Sequence, residues 1–224
     1  MKKTVKILFF LLVTGLLGLA ADLPNKKEST MTKKLTTYRK KRQFSKTPEP
    51  VGSEKPAKKS NDGVFVIHKH DASHLHYDLR LEIDGVLKSW AVPKGPSTDP
   101  SVKRLAVETE DHPMEYLKFE GTIPQGQYGG GTVMVWDIGR FSNIREKKDK
   151  PVSLAQSYQD GTIEVTLHGK KLQGNYALVH THFGKNDKNW LLIKMRDKFA
   201  EKKIKNVTKS AITGRTMKQI AQEE

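Results

Sequence analysis

Nine residues at positions 75–83, LHYDLRLEI, alternate strictly. Leu75, Tyr77, Leu79, Leu81 and Ile83 fall on one side, and His76, Asp78, Arg80 and Glu82 on the other. A period of two over this length specifies a β-strand with one apolar face. Asp84-Gly85 follows, a dipeptide suited to a tight hairpin turn, and apolar residues resume over 86–92. A strict two-residue turn sets Leu87 opposite Glu82, so either the polar face is partly apolar or the turn is longer. The pattern commits this stretch to antiparallel sheet and leaves a face crowded with titratable groups to be explained.

The rest of the chain supports more of the same. Residues 64–67 are apolar and β-branched, and Lys103–Glu108 has strand character. GTIPQGQYGGG is a glycine-rich loop leading into a strand at 132–138, with further strands expected at 161–167, 175–180 and 190–194. Residues 154–158 suit a short helical or irregular link, and 200–207 a helix within a lysine-rich tail. There is no internal repeat. Many short strands joined by glycine turns predict a mainly β domain, a closed or nearly closed antiparallel sheet.

The domain occupies 64–199, preceded by a basic arm over 31–63 and followed by a basic tail over 200–224. Prolines 48, 50 and 56 rule out a long helix in the arm, which Tyr38 and Phe44 are expected to pack in part. The first 21 residues carry Lys2, Lys3 and Lys6 ahead of an apolar run that ends in small residues, the pattern of a signal peptide or an anchor. The alternative is translation from Met31, where a soluble-type sequence begins. The two alternatives imply export or membrane attachment in the first case and a cytoplasmic protein in the second. The net charge of +15 favours a polyanionic partner, nucleic acid or an anionic membrane surface. It falls only to +12 when counting starts at Met31, so it belongs to the domain.

With no cysteine in the chain, histidine and the carboxylates are left as metal ligands. Same-face neighbours on a strand lie roughly 6 to 7 Å apart, and nitrogen and oxygen ligands each reach about 2 Å to a metal. His76 and Asp78 can therefore converge on one ion, with His70 completing the set from the preceding strand. The competing account is a solvated sheet face on which the histidines are incidental. Arg80 is too cationic to be a ligand. It is shaped to grip two phosphate oxygens beside the ion, or else it pairs with Asp78 or Glu82. Lys94 and Arg104 could add positive charge to the same phosphate, and His112 in the EDHP turn could donate a proton or a hydrogen bond to a leaving oxygen. All three could equally be ordinary surface residues. QGQYGGG lacks the ending of a phosphate-binding loop and is better explained by tight turns. His180 and His182 share a strand face without evident carboxylates, and Trp90, Trp136 and Trp190 are expected in the core.

KHDASHLHYDLRLEIDGVLKSWAVPKGPSTDP, KRLAVETEDHPMEY and FEGTIPQGQYGGGTVMVWDIG closely resemble the 3′-phosphoesterase module of bacterial ATP-dependent DNA ligase D, from about residue 35 to 197. The resemblance implies a compact β-barrel with short flanking helices. It implies a manganese-dependent enzyme, with Co2+ or Zn2+ as other candidate ions. Such an enzyme removes a 3′-terminal ribonucleoside and then the 3′-phosphate from DNA or RNA-DNA ends at primer-template junctions. It places the metal ligands on His70, His76 and Asp78, and the phosphate-site arginine on Arg80, with Lys94 and Arg104 in support. It places the active-site histidine and tyrosine on His112 and Tyr116, and further substrate-contact residues on Arg42, Glu49 and Glu82. His68 stands where the family commonly has glutamine, Gln43 where it has aspartate, and Gln125 where it has glutamate. Losing the carboxylate at 43 is expected to weaken the diesterase step. A monomer is expected, with a separate ligase and polymerase acting in trans. The rival functions are a non-catalytic nucleic-acid scaffold, a secreted phosphodiesterase, and an iron oxygenase built on the same ligand types.

Overall fold

The alternating segment forms one wall of a closed antiparallel barrel. The structure is a computed structural model describing residues 34–53, 62–181 and 187–223. The signal-like residues 1–21 and His182 lie outside the described residues. Among the described residues, no helix is long and apolar enough to cross a membrane.

The strands are β1 (Asp62–Asp71), β2 (Leu75–Ile83), β3 (Val86–Val92), β4 (Lys103–Glu108), β5 (Gly121–Ile123), β6 (Gly131–Asn143), the short pair β7 (Glu146–Lys147) and β8 (Lys150–Pro151), β9 (Thr162–Gly169), β10 (Gln173–His180) and β11 (Asn189–Lys194). Strand order is β1-β2-β3-β4-β11-β10-β9-β6, closed by pairing of β1 with β6, and β5 adds to the free side of β6. Closure removes the exposed strand edges that an open sheet would present. The helices are short: α1 (Thr36–Lys40), a 3-10 turn at Met114–Lys118, α2 (Leu154–Gln159) and α3 (Met217–Ala221). Ser153 and Thr216 cap the last two through their side-chain oxygens, and Thr216 does so in a full capping box with Gln219.

The turn between β2 and β3 has two residues, because Ile83 pairs with Val86 and Glu82 with Leu87. Asp84 and Gly85 both have positive φ, 52° and 80°, as this hairpin type requires. Leu87 therefore stands opposite Glu82, and the polar face is partly apolar. Leu87 is fully buried in a small cluster with Tyr38 and Tyr116, flanked by Phe44, Met114, Leu117 and Phe119. The main cluster, from Phe65, Ile67, Leu79 and Leu81 round to Trp190 and Leu192, fills the barrel interior and includes all three tryptophans.

The two clusters put the titratable face on the outer wall of the barrel. Phe65–Leu81 and Ile67–Leu79 pairs face the interior, while Val66–Arg80, His68–Asp78 and His70–His76 pairs face outward. The arm and the 3-10 turn then roof this outer wall. Tyr38 of α1 is fully buried and donates its hydroxyl to the Pro50 carbonyl at 2.6 Å. Tyr38→Ala should destabilise the domain by roughly 3 to 5 kcal/mol, the range for deleting a buried aromatic ring, measured as a shift of the urea midpoint at constant slope.

Two expectations need correction. Residues 200–207 form turns and irregular chain, and the helix of this region lies at Met217–Ala221. Ile220, 3% exposed, is the apolar anchor that docks this helix on the barrel. The lysine-rich 200–207 segment packs only Ile204 against the core, too little apolar surface for an amphipathic helical face. Strand β1 is also longer than the apolar run 64–67, because it continues through His68 and His70 while paired with both β2 and β6.

Candidate functional site

His70 on β1 and His76 and Asp78 on β2 converge, with one ligand atom from each lying within 4.8 Å of the others. His70 Nδ1 is 3.6 Å and His76 Nε2 3.5 Å from the Asp78 carboxylate. The other nitrogen of each ring is held by a backbone carbonyl: His70 Nε2 by Gly129 at 2.9 Å and His76 Nδ1 by His74 at 2.8 Å. A carbonyl only accepts, so each of these nitrogens carries the proton. His70 Nδ1 and His76 Nε2, the nitrogens turned toward Asp78, are then the ones left to face a metal ion. This outer-sphere arrangement orients histidines for a metal ion. The donor set, two imidazoles and one carboxylate, suits a divalent transition ion with open positions. Burial opposes ionisation of Asp78, but Arg80 and the two histidines outweigh it and hold its carboxyl well below the usual range.

A backbone carbonyl from the β5–β6 loop thus fixes one ring, and that loop can reach His70 because β6 pairs with β1 along its whole length. The β1–β6 register slips between Ile67 and His68, with one extra residue on β6. A bulge at this point re-aims the side chains that follow it.

Arg80 lies beside the cluster, 4% exposed. Its Nη2 donates to Asp78 at 3.1 Å, its Nε to His68 Nδ1 at 3.3 Å, and its Nη1 approaches His112 Nδ1 at 2.9 Å. The Tyr116 ring sits 4.9 Å from the guanidinium. His112 is brought here by a two-bond bridge to Leu87 that continues the β3 ladder past the end of β4. Its ring is buried between Arg80 and Arg42, whose Nη2 lies 3.2 Å from Nε2. Burial and the two guanidiniums push its pKa far below the ordinary value. Its Nδ1 lies 2.8 Å from the Glu110 carbonyl, which only accepts, so Nδ1 carries the proton and Nε2 of the neutral ring accepts from Arg42. His68 is likewise held neutral by burial and by Arg80.

The arm supplies a second layer. Arg42 Nε donates to Glu49 at 2.8 Å and its Nη1 to Glu110 at 2.9 Å, and the guanidinium lies 3.8 Å over the Tyr38 ring. Glu49 also accepts from the Tyr116 hydroxyl at 2.9 Å. Burial disfavours the ionised forms, yet the Arg42 and Lys41 bonds keep Glu110 below its ordinary pKa. Desolvation and Glu49 raise Tyr116 well above its own, so it remains a neutral phenol.

These groups line a cleft of about 220 Å³ that includes Arg42, Glu49, His70, His76, Asp78, Arg80, His112 and Tyr116. His68 sits below it as a support for Arg80. The structure does not bring the other sequence candidates to the cleft. Lys94 is exposed past the end of β3. Arg104 shares the inward side of β4 with the buried Ala106, and its Nε is buried. Glu82 accepts from the Val64 amide at 3.1 Å and finishes the end of the β1–β2 ladder. Gln43 is exposed and does not line the cleft. His180 Nε2 meets Asp187, and no metal cluster is formed there among the described residues. Two residues of the cleft went unnoticed in the sequence, Glu110 and Tyr128. Glu110 precedes His112 by two positions in the same EDHP turn, and Tyr128 is the lone aromatic of the glycine loop.

A family model described as the DNA ligase D 3′-phosphoesterase domain matches residues 68–180. The chain is 47% identical over 167 residues to the multifunctional non-homologous end joining protein LigD of Pseudomonas aeruginosa, covering 74% of this chain and 19% of that protein. It is 49% identical over 174 residues to the protein of the same name from Mycolicibacterium smegmatis, covering 76% and 22%. It is 43% identical over 176 residues to the multifunctional non-homologous end joining DNA repair protein LigD of Mycobacterium tuberculosis, covering 78% and 21%. The chain spans about a fifth of the length of these curated relatives.

Proposed function

Because the chain belongs to the DNA ligase D 3′-phosphoesterase family, we propose that it is a metal-dependent hydrolase that heals DNA 3′ ends. It would remove a 3′-terminal ribonucleoside, a 3′-phosphate, or both, and leave a 3′-hydroxyl. Its substrate would be primer-template ends in non-homologous end joining, the process that its relatives' names record. The observation that carries this proposal is the convergence of His70 Nδ1, His76 Nε2 and the Asp78 carboxylate, with the Arg80 guanidinium alongside.

His70, His76 and Asp78 would hold a manganese ion. When bound, it would act as a Lewis acid toward a non-bridging phosphate oxygen. Arg80 offers its planar fork to the transferring phosphoryl group, where charge accumulates. His112 is a neutral hydrogen-bond partner, so it suits holding Arg42 in place beside Arg80 better than protonating a leaving oxygen as a standing imidazolium. The Arg42–Glu49–Glu110 network fixes the arm's part of the cleft lining, and Glu49 holds the Tyr116 hydroxyl. Lys94 and Arg104 do not line the cleft.

The test uses the full chain and two duplex primer-templates, one ending in a single 3′-ribonucleotide and one in a 3′-phosphate. Conversion to 3′-hydroxyl with manganese, abolished by chelator and restored by the metal, is expected. A folded protein that binds both duplexes but converts neither would instead be a nucleic-acid scaffold.

A further inference from the structure

A second depression adjoins the cleft. It has a volume of about 430 Å³, and its walls carry Lys34, Lys41 and Lys188 together with Glu108, Glu110 and Asp111. That size lies within the range of small-molecule sites, about 300–1,000 Å³. The two spaces share Thr109, Glu110 and Tyr128. Tyr128 is therefore the aromatic group on the divide between the metal-ligand cluster and the groove. It is 47% exposed, which is unusual for a tyrosine whose hydroxyl is so well partnered. Lys41 donates to that hydroxyl at 2.9 Å and Tyr128 in turn reaches Glu110 at 3.3 Å. On the other side of Tyr128 the chain is pinned, because the next residue's carbonyl is the one bound to His70. The ring is thus held in place at both ends, with Lys41 Nζ 4.5 Å and the Arg42 guanidinium 5.4 Å from its centroid, while the residue stays half exposed.

Taking the proposed reaction as the premise, we infer that this groove receives the terminal nucleoside of the substrate, with Tyr128 as the surface on which its base stacks. A phosphodiester in the cleft carries two ester substituents that extend from phosphorus in different directions, of which one leaves, and the groove can take one of them. Its charge decides which. Three lysines and three carboxylates balance, so the groove does not attract a continuing polyanionic strand. A terminal nucleoside carries no charge, and its sugar hydroxyls are donors that carboxylates accept. The exposed basic residues elsewhere on the domain are better suited to the strand itself. Aromatic stacking on a nucleobase tolerates any base, as an end-healing site requires.

The inference is tested on the full chain by comparing Tyr128→Leu and Tyr128→Phe with the parent protein on three duplex ends: a 3′-ribonucleotide, an abasic 3′-ribose and a 3′-phosphate. Stacking on one base is worth about 1 to 3 kcal/mol. Tyr128→Leu should therefore shift the ratio of kcat/KM for the ribonucleotide end over the phosphate end by about tenfold, through KM. Tyr128→Phe, which keeps the ring, should shift it much less. Removing the base should cost the parent protein a similar factor and cost Tyr128→Leu little more. An equal loss on all three ends would make Tyr128 a support for His70 and overturn the inference, as would no loss on any. Failure of the parent protein on both the ribonucleotide and the phosphate end would remove the reaction itself, and the inference with it.

Discussion

His76→Ala is expected to lower kcat/KM on both 3′-end substrates by at least about 10³-fold in manganese, with the fold retained. Metal assistance contributes several kcal/mol to such reactions, and each 1.36 kcal/mol is a factor of ten. His76 is the informative ligand to remove because stability and catalysis separate there. Its side chain is 22% exposed, with its ring hydrogen-bonded to the His74 carbonyl and resting beside His70 and Asp78. Asp78 is different. Its side chain is 9% exposed and pairs with Arg80, itself 5% exposed. Asp78→Ala would leave a buried guanidinium without its counter-charge, a defect that costs about 3 to 5 kcal/mol. Loss of turnover in that variant would be mixed with unfolding, so thermal unfolding should be measured alongside. Near-normal turnover by a folded His76→Ala protein would mean that the ligand set is wrong.

Arg80→Lys should cost about 10² to 10³ in kcat with a smaller change in KM. The charge survives this substitution, but the geometry does not. Arg80 meets three partners at once, Asp78, His68 and His112, through three different nitrogens. A lysine ammonium is a point charge on a flexible stem and cannot span them. The loss should fall on kcat because a donor aimed at the phosphoryl group acts most strongly where charge builds up, and removing one such donor from an active site costs about this much. Wild-type kcat with a raised KM would assign Arg80 to ground-state binding alone.

The period of two in 75–83 was enough to place Asp78, His76 and Arg80 on one face, and Asp84-Gly85 was enough to turn the strand back. What the pattern left open was which side of the barrel that face would occupy. The answer depends on Leu87, an apolar residue on the polar side that is buried only because Tyr38 and Tyr116 arrive from distant parts of the chain. Closure of β1 on β6 is likewise a long-range pairing, and it alone brings the Gly129 carbonyl to His70. Glu110 was hidden because a carboxylate in a short acidic run resembles solvated surface. Its burial depends on Arg42 and Lys41 of the arm. Tyr128 was hidden for the opposite reason: the glycines around it account fully for a turn and divert attention from the one side chain the turn displays. The family likeness supplied Arg42, Glu49 and Tyr116, which no local pattern marks. It also pointed to Lys94, Arg104 and Glu82, which the fold keeps out of the cleft.

The most direct test of the central claim is anomalous diffraction from crystals of the protein grown with manganese and a short duplex ending in 3′-phosphate. One anomalous peak is expected, bounded by His70 Nδ1, His76 Nε2 and Asp78, with the phosphate between it and Arg80. A peak held instead by Glu49 or Glu110, or a phosphate seated away from Arg80, would contradict the account.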